Sequence, residues 1–131
     1  MNFSRFPAML LAASLLAQSM LTVPTTAVLA SLTIKPSVDR VDAMKVLPDE
    51  VRATVKLYLD GKIQQWYSRS DGKGVIFVMN CSSVAEAKAL MDSLPLSKAN
   101  LADVEFTPLG PLAPLRLLLD APPGKPAPTQ P

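Results

Sequence analysis

The stretch IQQWYSRSDGKGVIFVMNC, Ile63 to Cys81, decides the fold. Its first part, Ile63 to Ser70, carries the β-forming aromatics Trp66 and Tyr67. SDGKG then supplies a tight turn, and Val75 to Cys81 (VIFVMNC) is a dense apolar run. Two β-forming runs on either side of such a turn predict a β-hairpin. In the second run both alternating sets, Val75, Phe77, Met79 and Ile76, Val78, are large and apolar. Successive side chains of a strand point to opposite faces, so both faces of the sheet need cover there.

Working outward, PDEVRATVKLYLDGK precedes the hairpin. Pro48, Asp49 and Glu50 suit a first helical turn, and Gly61 suits a left-handed cap. Val51, Val55, Tyr58 and Leu59 fall on one face of that predicted helix. A short helical piece is also expected around Val41 to Val46. Further upstream, VLASLTIK (Val28 to Lys35) is β-branched and apolar and reads as a first strand, which Pro36 stops. Downstream, Ser83 with Glu86 makes a capping box for a second helix, in which Val84, Ala87, Leu90, Met91 and Leu94 hold helical spacing up to Pro95. VEFT (Val104 to Thr107) is a short last strand stopped by Pro108.

The order is β-α-β-β-α-β, and the class is α+β. That order is a ferredoxin-like plait with strands 1 and 3 central and 2 and 4 at the edges. Two helices cover one face of such a sheet. Leaving Ile76, Val78 and their neighbours on the other face in water would forfeit roughly 1.5 to 3 kcal/mol per large side chain. A second copy of the sheet, in a face-to-face homodimer or a higher homo-oligomer, supplies the missing cover. The competing expectation is that the N-terminal segment or PLAPLRLLL (Pro111 to Leu119) folds back over its own sheet.

The ends of the 131-residue chain differ from this core. MNFSRFPAMLLAASLLAQSML has one cation, Arg5, followed by an apolar run from Ala8 to Leu16, the layout of a secretory signal. Gln18, Ser19 and Pro24 break the run short of the about 20 residues that a membrane span needs. The expectation is a signal peptide over 1–27, cleaved somewhere between 17 and 30, with no stable membrane span after processing and a periplasmic or secreted destination. APPGKPAPTQP at the far end is proline-rich with no large apolar side chain, so 119–131 is expected to be a disordered tail. The folded domain is expected over 28–118.

Composition excludes much chemistry. There is no histidine and one cysteine, Cys81. That removes Ser-His-Asp and Cys-His catalysis and any intramolecular disulfide, and no metal site or cofactor is expected. Cys81 ends an apolar run and is expected to be buried. Thirteen basic and 11 acidic residues give +2, too near neutral for an electrostatic nucleic-acid binder. KGVIFVMN, Lys73 to Asn80, sits where the same fold carries an RNA-stacking motif, but Val75 and Asn80 stand where two of its three rings would be. No nucleic-acid partner is expected.

The segment EVRATVKLYLDGKIQQWYSRSDGKGVIFVMNCSSVAEAKALMDSLPLSKANLADVEFTPLGPLAPLRLLL, about 70 residues, resembles the muconolactone isomerase-like family of dimeric α/β-barrel proteins. The features that carry the resemblance are LYLDGKI followed by Trp66, Tyr67 and Arg69, the DGKGV hairpin, the helix SVAEAKALMDSLPL, and the ending EFTPLGP. Upstream, SLTIKPSVD matches less closely. The resemblance implies a ferredoxin-like fold, sheets paired face to face into a barrel, and isomerases that shift a double bond in a small lactone.

Such a shift needs a base, an acid and a donor for the developing oxyanion. Without histidine those roles fall to carboxylates, lysine or tyrosine. Asp60, Lys62, Tyr67, Arg69 and Glu105 are the polar groups nearest the predicted edge strands. Tyr67, Arg69 and Glu105 are the catalytic candidates, and Gln65, Trp66, Tyr67 and Arg69 the ligand-binding ones. By the period of two, Gln65, Tyr67 and Arg69 share one face of the strand and Gln64, Trp66 and Ser68 the other. Arginine offers a bidentate fork and tyrosine a hydroxyl donor to an anionic or carbonyl ligand. On a strand edge the same residues also serve as interface filler and rim salt partners, and Asp60 and Lys62 beside a helix cap read as solvated. Two functions stay open. One is an exported barrel dimer that isomerises or binds a small lactone or similar carbonyl compound. The other is a non-catalytic exported homodimer that binds a small apolar ligand or acts as an assembly module.

Overall fold

The computed structural model describes residues 23–113, within which Thr25–Gly110 forms one compact unit. Its elements are β1 (Ala27–Ile34), α1 (Arg40–Leu59), β2 (Ile63–Ser68), β3 (Gly74–Met79), α2 (Val84–Asp92), a one-turn α3 (Pro95–Lys98) and β4 (Ala102–Leu109). The four strands form one antiparallel-paired sheet in the order β2-β3-β1-β4, the ferredoxin-like arrangement. The expected signal segment up to residue 22, the Pro111 to Leu119 segment beyond residue 113 and the tail 119–131 lie outside the described residues.

Alternation along the strands sorts the sheet into two surfaces. Val28, Ala30 and Leu32 of β1 and Phe77 and Met79 of β3 are buried beneath the helices, with Ile63 from β2 and Ala102 from β4. Ala87 and Met91 of α2, then Leu94 and Leu96 around α3, close this core. Cys81 joins it as a free buried thiol. Burial pushes its pKa up, an effect the nearby Glu86 carboxylate adds to and Lys62 opposes. Leu29, Ile76 and Val78 lie on the opposite surface, where they are only half-buried. Ser31 and Thr33 share that surface, so strand 1 is less oily on its open side than strand 3.

The first helix differs from expectation. α1 is continuous from Arg40, with the Asp39 carboxylate accepting the Val41 amide at 2.9 Å as an N-cap, and Pro48 lies inside it. Proline removes one intrahelical donor, that of residue 48 to the Met44 carbonyl, and the loss is tolerable because Pro48 is on the exposed side. The buried stripe is Val46, Glu50, Ala53 and Leu57 rather than Val51, Val55, Tyr58 and Leu59, which are exposed. Gly61 does close the helix at φ +74°, with its amide bonded to the Tyr58 carbonyl and that of Lys62 to Leu57. Ser83 caps α2 by accepting the Glu86 amide, and Glu86 accepts that of Ser82. β4 runs through Pro108 because it is an edge strand. The Leu109 carbonyl bonds inward to Thr26, so by alternation the missing Pro108 donor faces outward.

Candidate functional site

The helix-side surface of the sheet is not fully closed. Between α1 and the β2 edge lies a cleft of about 210 Å³. Its floor includes Leu32, Val75 and Phe77, its walls Leu47 and Val51 of α1 and Trp66 of β2. Glu50 reaches into this apolar space and is 5% exposed. One carboxyl oxygen, Oε2, accepts the Leu96 amide at 2.8 Å, while Oε1 is buried without a hydrogen-bond partner. Burial raises the Glu50 pKa above the usual 4.5, and the Leu96 hydrogen bond opposes but does not cancel that rise.

An acceptor that keeps one oxygen free inside a cavity carries a cost of about 1–3 kcal/mol that a purely structural contact need not incur. The arrangement holds a carboxyl ready for proton exchange: one oxygen is anchored by the Leu96 amide and the other, itself buried, is left without a partner. The other polar groups of the lining are the Thr54 and Ser68 hydroxyls and the Trp66 indole N–H. Thr54 donates back to the Glu50 and Val51 carbonyls of its own helix. Ser68 and Trp66 are the groups of this set that β2 supplies.

Of the residues expected at a site, Trp66 lines the cleft. It is 38% exposed and meets Tyr58 edge-on, with ring centroids 4.4 Å apart. Gln65 and Tyr67 are brought together on the open surface, where the Tyr67 hydroxyl donates to Gln65 Oε1 at 3.1 Å and Tyr67 is 56% exposed. Arg69 donates to Thr33 Oγ1 at 2.8 Å and pairs with Asp71, whose carboxyl is held below its ordinary value chiefly by the Lys73 amide and further by Arg69. Glu105 sits on β4 opposite Ser31, which faces Ile76, which faces Tyr67. Tyr67 and Glu105 thus end one cross-strand row, three strand spacings or about 14 Å apart. Asp60 caps α1, and Lys62 lies 3.6 Å from Glu86.

Glu50 is the group that sequence reading did not single out. Taking Pro48 as a helix start places Glu50 in a solvated first turn. Spacing carried a signal nonetheless: Val46, Glu50, Ala53 and Leu57 run four, three and four apart, so a glutamate stands in an apolar stripe.

No protein-family model matches the chain, and no curated protein matches it in sequence. Among solved structures it is similar to a crystal structure of muconolactone isomerase at 3.3 Å resolution, with a TM-score of 0.52 and 19% identity. The match covers 63% of this chain and 86% of that one. Identity at that level speaks for the backbone arrangement alone, and on that ground this chain has the ferredoxin-like α+β fold of muconolactone isomerase.

Proposed function

We propose that the protein is an isomerase-like binder of small carbonyl compounds such as lactones, with Glu50 as its proton-transfer group. The observation that carries this reading is the buried Glu50 carboxyl with Oε1 unpartnered in an apolar cleft. As carboxylate, Glu50 takes a proton from the carbon next to the substrate carbonyl. The electron pair of the broken C–H bond moves toward the carbonyl oxygen, where Ser68 and the Trp66 indole are the candidate donors. The carboxyl then returns the proton two carbons further along, which moves the double bond and needs no other reactant. A raised pKa makes the carboxylate a stronger base than a solvated one. The likeness in fold to muconolactone isomerase supports the substrate class.

The test is to follow conjugation of a β,γ-unsaturated lactone by ultraviolet absorbance. Glu50→Gln should lower kcat by about 10²–10⁴-fold. Absence of turnover in the parent protein, or equal turnover in the variant, would refute the reading. Binding without turnover would favour a non-catalytic carrier, which the mainly apolar lining also suits.

Two further parts belong to the same proposal. The half-buried Leu29, Ile76 and Val78 support a homodimer or larger homo-oligomer closed over the open surface. The signal-like N-terminal segment supports export to the periplasm or beyond, and among the described residues no helix is long and apolar enough to cross a membrane. Mass spectrometry of the exported chain checks this: it should start between residues 18 and 31.

A further inference from the structure

α1 carries a second apolar stripe besides the one that meets the core. Val41, Met44, Pro48, Val51, Val55 and Tyr58 follow one another at spacings of three, four, three, four and three residues. All six are exposed, Val41 at 60%, Met44 at 53% and Val51 at 51%. The row advances about 26 Å along the helix. That spacing is the seam by which one helix packs on another, each side chain filling a gap between those of its neighbour.

The row of spacings reads the same from either end. In an antiparallel pair related by a two-fold axis, Val41 therefore meets the partner's Tyr58, Met44 the partner's Val55 and Pro48 the partner's Val51, all in one register. Charge points the same way. Lys45 and Arg52, which flank the seam, are held on their own helix by Asp42 at 2.9 Å and by Asp49 at 3.0 Å. Flanks neutralised in this way offer little to a charged partner, and two copies approach without like-charge repulsion there. Area sets the strength. At their fractional exposures Val41, Met44, Val51, Val55 and Tyr58 show about 500 Å² in all, so two copies bury about 1,000 Å², the lower edge of specific contacts.

We propose that α1 is a second self-association surface, on which two copies of the chain pack their first helices antiparallel along Val41 to Tyr58. The seam lies on the helix-bearing side of the sheet, away from Leu29, Ile76 and Val78. It therefore does not depend on a sheet-to-sheet contact, and it joins pairs made by such a contact into larger assemblies.

Ile76→Glu removes the sheet contact, and sedimentation equilibrium then reads the helix contact alone. That variant should be monomeric at low micromolar concentration and pair with a Kd between about 10⁻⁵ and 10⁻³ M. Val51→Asp added to it should weaken pairing at least tenfold. Met44→Lys and Val55→Glu, each added singly, should do the same, whereas the two together face one another only in the antiparallel pair and should recover most of the loss. Every position is on the outside of α1, so each variant should keep the parent's circular dichroism. No pairing up to about 1 mM, pairing unchanged by Val51→Asp, or a double variant weaker than either single one overturns the proposal. So does either other occupant: a monomer whose unfolding midpoint falls with Val51→Asp, which would put a segment of the same chain on the seam, or Val51-dependent sedimentation with phosphatidylcholine vesicles.

Discussion

Glu50 links stability and chemistry in one side chain. Its raised pKa means that the folded state holds the proton more tightly than the unfolded state does. The contribution is fully present below the ordinary value of 4.5 and is lost as pH rises from there to the raised folded value. Glu50→Gln keeps an acceptor for the Leu96 amide without the ionisation. The stability difference between parent and variant should therefore shift in favour of the variant across that window, read from denaturant midpoints at stepped pH; a constant difference would contradict it. Glu50→Ala leaves the Leu96 amide buried without its acceptor and should cost about 1–3 kcal/mol for that loss, with the larger difference from the parent below the same pH window. Gly74 is the second telling residue. A Cβ there would lie 1.9 Å from the Leu32 carbonyl oxygen, which is backbone and cannot swing away. Gly74→Ala should destabilise by about 3 kcal/mol or more by forcing β1 and β3 apart, and a parent-like unfolding midpoint would contradict that account.

At the scale of elements, α1 shows how one residue can be read two ways. Proline is favoured at a helix start and disfavoured inside, so Pro48 reads as a boundary. The Asp39 cap and the packing of Val46, Ala53 and Leu57 outweigh that preference and carry the helix through it. Because the proline remains a local cost, Pro48→Ala should raise stability by about 1–3 kcal/mol in chemical denaturation. An unchanged or lowered midpoint would mean that the proline ring packs better than its exposure implies. The apolar stripe from Met44 to Leu59 also explains why periodicity chose the wrong face. α1 is apolar over more than half its circumference, and periodicity alone cannot say which part of so wide an arc meets the sheet. β4 makes the converse point: proline ends a central strand but not an edge strand whose donor would face outward.

At the scale of the molecule, the sheet has one surface under helices and one without them. Leu29, Ile76 and Val78 form the apolar middle of the uncovered surface, and Gln65, Tyr67, Thr107 and Glu105 its polar margins. If a second copy closes over it, light scattering should give at least twice the mass of the processed chain, and Ile76→Glu should give a folded monomer. A monomeric parent at micromolar concentration would remove the interface. In such a dimer Tyr67 and Glu105, too far apart within one chain to share a ligand, face partner strands, which accounts for edge residues being rim groups as readily as site groups.

Chain order, strand pairing and the two-sided apolarity of β3 were legible in the residues, because alternation, capping and turn chemistry act over a few positions. The ferredoxin-like order of strands and helices follows from them. The cleft was not legible, since it depends on where α1 sits over the sheet, and that position is set by its packing against α3, far away in sequence, and against the edge strand β2. Only there does a glutamate at helical position 50 become a buried carboxyl with one oxygen bound to Leu96 and the other free, for desolvation is a property of the surroundings and not of the residue.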